Sequence, residues 1–138
     1  MPAICVTETK SISPIASNKS YMAYMPAVLV AAGIAILSLV EQQHAPRVPV
    51  NDKLAHAMSY IVLGLCLMAA LWRNGHRRWQ WWLTAVVSCT AYGLLIEALQ
   101  RFCTLTRTGE MADLLADFIG ALIGVVLVKV WDISTTSR

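Results

Sequence analysis

Four long apolar stretches constrain this chain more than any other feature of its sequence. They cover about residues 21–40, 54–72, 79–99 and 114–131. A bilayer core about 30 Å thick is crossed by a helix of roughly 20 apolar residues, and each stretch is close to that length. Their apolar residues are continuous, whereas the strands of a membrane β-barrel alternate. Because backbone groups in lipid must bond within their own segment, we predict four transmembrane helices.

The composition excludes soluble and disordered classes of protein. Of the 138 residues, 57% are hydrophobic and 14% are charged. Soluble domains are about 45–50% apolar and roughly 25% charged, whereas disorder needs low hydrophobicity and high charge. The four cysteines are too few and too scattered for a disulfide scaffold. The predicted fold class is therefore all-α, a polytopic membrane protein.

The connections between the stretches are short, so we predict an antiparallel bundle in which consecutive helices reverse direction. Pro46 and Pro49 break the first connection, and Gly109 is a turn candidate in the third. The first stretch starts late and lacks a small-residue cleavage site, which indicates a permanent helix rather than a signal peptide. We predict a flexible cytoplasmic tail, a four-helix membrane domain and a second cytoplasmic tail, over residues 1–20, 21–132 and 133–138.

The distribution of Lys and Arg predicts the orientation, because these residues are enriched in cytoplasmic segments. The second loop contains Arg73, Arg77 and Arg78 and no acid, and both terminal segments are basic. We therefore predict that this loop and both termini face the cytoplasm. This asymmetry accounts for the pI near 8.8, so we expect no nucleic-acid partner. Five tryptophans fit an interfacial belt at the same level: Trp72, Trp79, Trp81, Trp82 and Trp131.

Most other polar residues fall at the opposite, outer membrane face. His56, Glu97 and Asp117 lie inside or at the edge of predicted spans. Ionisable groups at such a depth are costly and usually face a bundle interior or a wet cavity. Spacings of three or four residues place side chains on one side of a helix. We therefore expect Asp52 and His56 to be neighbours, as well as Glu97 and Gln100, and Asp113 and Asp117. The candidate site residues are Asp52, Lys53, His56, Glu97, Gln100, Arg107, Glu110, Asp113 and Asp117.

Several kinds of chemistry fit this set. Carboxylates with a histidine suit a divalent cation, the only cofactor the set suggests, and Arg and Lys suit a phosphate group. His56 and Glu97 are the candidate acid/base residues. The alternative is that the same side chains pair with one another and lock the helices together. A transporter or proton pathway is disfavoured because no ionisable residue lies near the middle of a predicted span.

An ordered series of motifs gives the chain a family resemblance. The motifs are Asp52-Lys53-Leu54-Ala55-His56 with Tyr60 and Gly64, then Glu97-Ala98-Leu99-Gln100, then Arg107-Thr108-Gly109-Glu110-Met111-Ala112-Asp113, then Gly120 and Gly124. Over about residues 50–125 the chain resembles VanZ-like proteins. It departs from them at Asp117, where many relatives are expected to have Asn. The first 20 residues lie outside the resemblance.

The resemblance implies a small multi-pass protein of the bacterial inner membrane. The family takes its name from a protein linked to resistance to the glycopeptide teicoplanin, so an effect on teicoplanin susceptibility is one implication. We predict that the outer polar pocket binds or processes a membrane lipid or a lipid-linked envelope precursor. The alternative is a non-catalytic scaffold that stabilises a partner, with the polar cluster as a structural lock.

Small residues recur at helical spacing in two of the stretches. Ala116, Gly120 and Gly124 form one stripe, and such stripes let membrane helices approach closely. They serve either packing within the chain or a homo-oligomer, and we expect packing within the chain. The second stripe, in the first apolar stretch, consists of Ala23, Ala27, Ala31 and Ala35.

Overall fold

The computed structural model describes residues 20–40, 52–103 and 111–136. Within these ranges the regular structure is helical, and the predicted all-α class is confirmed. The four helices are α1 (Met25–Leu39), α2 (Asp52–Arg73), α3 (Trp79–Cys103) and α4 (Met111–Thr136). Each is long and apolar enough to cross a membrane, with the first span counted from Ser20. The predicted four-helix membrane protein is therefore confirmed.

Three helices, α2, α3 and α4, extend past their apolar stretches into the polar residues. α2 begins at Asp52, and α3 continues to Cys103. Asp52 and Asp113 lie in first turns of helices, where a carboxylate interacts favourably with the helix dipole. α4 likewise continues into the predicted C-terminal tail. The predicted N-terminal tail apart from Ser20, together with Arg107 and Glu110, lies outside the described residues.

Side-chain contacts give the direction of each helix. Lys53 contacts Asp113 and His56 contacts Asp117, so α2 and α4 run parallel. α1 and α3 are also parallel, because the Tyr92 hydroxyl donates to Ala31 O at 2.6 Å and Gln100 Nε2 donates to Ser38 O at 3.0 Å. His56 contacts Glu97 and Tyr60 packs against Tyr92, so α2 and α3 run in opposite directions. Consecutive helices therefore reverse direction, which confirms the antiparallel bundle.

The backbones of α2 and α4 are in direct contact. A Cβ atom on Gly64 would lie 2.7 Å from Ala121 O. A Cβ atom on Gly120 would collide with the backbone carbonyl of Ala57, and one on Gly124 would collide with that of Ile61. The small-residue stripe of α4 thus packs within the chain, as predicted, and α2 and α4 form the centre of the bundle.

The rest of the bundle packs around this pair. One core cluster contains Ile34, Tyr60, Leu63, Cys89 and Ala121. α1 contributes few buried side chains, among them Ala27, Ile34 and Ser38. Large apolar side chains remain exposed on the outside of the helices, as lipid contact requires: Leu29, Ile36, Val87, Leu94, Val126 and Leu127 are examples.

The end of the bundle that contains the loop between α2 and α3 is rich in aromatic rings and cations. We call this the aromatic end, defined by Trp72, His76, Arg77, Trp81, Trp82 and Lys129. The Arg77 guanidinium lies 5.0 Å from the centre of the Trp72 ring, and Lys129 Nζ lies 4.2 Å from that of Trp82. The His76 and Trp81 rings are 4.0 Å apart. Gly75 turns the chain there with a φ of 83°.

Candidate polar site at one end of the bundle

The start of α2, the end of α3 and the start of α4 bring three ionisable side chains together. We call His56, Glu97 and Asp117 the inner triad. His56 Nδ1 lies 3.0 Å from Asp117 Oδ1 and 3.9 Å from Glu97 Oε1. The side chains of His56, Glu97 and Asp117 are only 10%, 8% and 1% exposed. Three helices thus contribute ionisable side chains to the end of the bundle at which the sequence predicts that the polar residues converge.

A second group lies nearer the helix ends. We call Asp52, Lys53 and Asp113 the outer layer. Lys53 Nζ donates to Asp113 Oδ1 at 3.4 Å, and the Lys53 side chain is 51% exposed whereas Asp113 is buried. Asp52 is exposed. One ligand atom each from Asp52, His56 and Asp113 lie within 4.8 Å of one another, so His56 connects the outer layer with the inner triad.

Local sequence explains how these groups meet. His56 follows Asp52 by four residues, and Asp117 follows Asp113 by four, so each pair shares one side of its helix. Because α2 and α4 are parallel, the two pairs lie side by side. A Cβ atom on Gly93 would lie 2.7 Å from Asp117 Oδ2. Glycine at this position of α3 therefore makes room for the Asp117 carboxylate.

Gln100 is buried at the same end, next to α1. Its Nε2 donates to the carbonyl of Ser38. This hydrogen bond ties the end of α3 to the end of α1, a structural contact that sequence spacing did not reveal. A ligand-binding role for Gln100 stays a prediction, as do those of Arg107 and Glu110.

Two buried polar atoms beside the site have no hydrogen-bond partner among the described residues. They are Asp117 Oδ2 and the Tyr60 hydroxyl. Tyr60 is 1% exposed, and its ring packs against that of Tyr92 with the centres 6.5 Å apart. Tyr60 was not among the predicted site residues, although its position four residues after His56 places both on one face of α2.

The sequence model of the VanZ/LLP1 family matches residues 6–132. The chain belongs to the VanZ/LLP1 family. The expectation that the first 20 residues lie outside the family likeness is wrong for residues 6–20, because the match includes them and α1. No curated protein and no solved structure matches the chain. Family membership and four apolar helices make it a multi-pass membrane protein.

The site of this VanZ/LLP1 family protein contains groups that can transfer a proton and groups that can bind a metal ion or a phosphate. His56 can exchange a proton with Asp117, because Nδ1 lies within hydrogen-bond distance of Asp117 Oδ1. Glu97 Oε1 lies 3.9 Å from the same ring nitrogen. The triad and the group of Asp52, His56 and Asp113 each offer three ligand atoms to one ion. Lys53 adds an exposed positive charge at the outer edge, where a phosphate group can be bound.

Proposed function

We propose that this VanZ/LLP1 family protein binds a membrane lipid or a lipid-linked envelope precursor at the polar site, and that the inner triad can act on it. The convergence of two buried carboxylates, Glu97 and Asp117, with the largely buried His56 at one end of the bundle carries this proposal. Ionisable residues in membrane segments are costly, and functional sites are the usual reason for them. An effect on teicoplanin susceptibility would follow if the bound component belongs to the envelope.

The molecule offers places for both parts of a phospholipid. The outer layer provides Lys53 for a phosphate. An apolar groove of about 210 Å³ lies between α1, α2 and α3, lined by residues such as Ala27, Leu67 and Tyr92. Tyr92 packs against Tyr60, which follows His56 by one helical turn. We assign the headgroup to the outer layer and an acyl chain to this groove.

Native mass spectrometry of the detergent-extracted protein tests lipid binding. Wild type should retain a phosphate-bearing lipid, and Lys53→Gln should lose most of it. Lys129→Gln is the matched control, because it removes one lysine from the opposite end of the bundle. Equal lipid retention by wild type and both variants would contradict headgroup binding at the outer layer.

The proposed orientation places the polar site at the outer face and both termini in the cytoplasm. Cys103 is exposed at the site end of α3, whereas Cys89 is buried and Cys66 half-buried. A membrane-impermeant thiol reagent applied to intact spheroplasts should label wild type, and Cys103→Ser should abolish that label. Loss of the label in Cys5→Ser instead would show the opposite orientation.

One observation favours the second candidate function, a scaffold in which the site is a structural lock. The hydrogen bond between His56 and Asp117 joins the two helices whose backbones touch at Ala57 and Gly120. If the lock is the whole function, substitutions in the triad lower protein abundance and stability together with any envelope phenotype. If the site binds a component, Glu97→Gln loses lipid retention while protein abundance stays normal.

A further inference from the structure

The inner triad has the geometry of a three-ligand metal site. Ligand atoms of His56, Glu97 and Asp117 lie within 4.8 Å of one another. Metal–ligand distances of about 2.0–2.2 Å to nitrogen and oxygen allow two ligands of one ion to be up to roughly 4.4 Å apart. The separations of 3.0 Å and 3.9 Å from His56 Nδ1 fall inside this limit. Small side-chain shifts would therefore place all three groups on one ion.

An independent observation points to a missing partner at the triad. The Tyr60 hydroxyl and Asp117 Oδ2 are buried without a hydrogen-bond partner among the described residues. Buried polar groups in proteins are nearly always hydrogen-bonded. Tyr60 follows His56 by four residues, so both side chains lie on one face of α2. A metal ion with a bound water would satisfy both atoms, because the water can bond to the hydroxyl and Oδ2 can bind the ion or its water.

We propose that the inner triad binds a divalent transition-metal ion such as Zn²⁺ or Mn²⁺ through His56, Glu97 and Asp117. Imidazole suits Zn²⁺ and carboxylates suit Mn²⁺, whereas Mg²⁺ and Ca²⁺ prefer oxygen ligands alone. Three protein ligands with an open position for water are the arrangement of catalytic zinc sites. The positive ion also offsets the cost of burying two carboxylates.

The outer layer provides the route by which the ion reaches the triad. Asp52 is exposed, and its carboxylate lies within 4.8 Å of ligand atoms of His56 and Asp113. An ion attracted to Asp52 therefore meets His56 next. This inference deepens the proposed function, since it rests on the same site, but binding of metal alone is measured without any lipid. Either proposal can therefore fail while the other holds.

Metal titration of the full-length, chelator-treated protein in detergent tests the inference. Zn²⁺, Mn²⁺, Mg²⁺ and Ca²⁺ are added separately, and bound metal and the thermal unfolding midpoint are measured. We expect one Zn²⁺ or Mn²⁺ per chain, a raised midpoint, and weaker binding of Mg²⁺ and Ca²⁺. His56→Gln and Asp117→Asn should weaken binding by at least about 10–100-fold, because mutating even a residue that only hydrogen-bonds to a metal ligand costs that much.

Asp132→Asn is the matched control, because it removes a carboxylate from the far end of α4. Its metal affinity should equal that of wild type. A wild type that binds no ion, or variants of the triad that bind as tightly as wild type, would overturn the inference. If the variants do not fold, pulsed electron paramagnetic resonance of Mn²⁺-loaded wild type decides. Coupling to an imidazole nitrogen is expected, and its absence would place the ion elsewhere.

Discussion

The two ends of the bundle pack and hold charge in different ways. At the site end, α2 and α4 touch through their backbones at Gly120 and Ala57, and ionisable groups are buried between the helices. At the aromatic end, large side chains such as Met68, Leu71 and Val125 fill the space. The cations there lie over the faces of tryptophan rings.

This contrast shows why close packing and buried charge occur together. Small residues at the contact bring α2 and α4 near enough for Asp117 to reach His56 on the neighbouring helix. Such a pair is taken out of water, and breaking it leaves a costly buried group. The indoles of Trp72 and Trp82 are half-buried, but the cations over them are exposed and keep their access to water and to headgroups. Substitutions should therefore lower the free energy of unfolding much more at the site end than at the aromatic end.

Gly120→Leu should have the largest effect, because its side chain would collide with the backbone of α2, which cannot move aside as a flexible side chain can. We expect no folded protein, measured as loss of the monodisperse peak in size-exclusion chromatography and of a cooperative unfolding transition. Gly33→Leu is the control, since a Cβ atom there meets no atom within 4 Å. A stable Gly120→Leu protein would refute the close backbone contact.

Asp117→Ala should have the next largest effect, because it leaves His56 buried without its nearest partner. Removing one member of a buried charged pair costs about 3–5 kcal/mol, measured as the free energy of unfolding in mixed micelles. Asp117→Asn should lose less, since an amide still bonds to the imidazole. Asp132→Ala, near the aromatic end of the same helix, should change little. If Asp117→Ala and Asp132→Ala lost the same free energy of unfolding, the site end would be no more sensitive to substitution than the aromatic end.

Tyr92→Phe separates hydrogen bonding from charge. It removes the hydrogen bond to Ala31 O that holds α1 to α3, and hydrogen bonds between membrane helices average about 0.6 kcal/mol, with a maximum of about 1.7. The loss of unfolding free energy should fall in that range and below that of Asp117→Ala. A loss as large as that of Asp117→Ala would mean that charged and neutral polar contacts between the helices contribute equally to the free energy of unfolding.

Local patterns predicted much of this molecule. Apolar length predicted the four helices, and spacings of four residues predicted which side chains share a helix face. The stripe with Gly120 and Gly124 predicted close packing within the chain. Each of these features depends on one helix or on the order of the helices, which a single sequence records.

Contacts between helices were less accessible from the sequence. Spacing made Asp52 the expected neighbour of His56, yet the hydrogen bond is to Asp117 on α4. Which helix approaches most closely depends on how side chains fit in three dimensions, and no spacing rule gives that. For the same reason, the burial of Tyr60 beside the triad and the hydrogen bond of Gln100 to α1 were not predicted.

Lys129→Ala should have the smallest effect of the four, because it removes a cation from the surface of the aromatic end. Cation–π contacts at exposed sites contribute about 0.5–1 kcal/mol, so the loss of unfolding free energy should not exceed that range. Lys129→Arg should retain the contact, because a guanidinium also stacks on aromatic faces. If Lys129→Ala destabilised the protein as much as Asp117→Ala, cations at the aromatic end would contribute as much to the free energy of unfolding as the inner triad does. The two ends would then differ in the residues they contain, but not in how strongly their charged groups stabilise the fold.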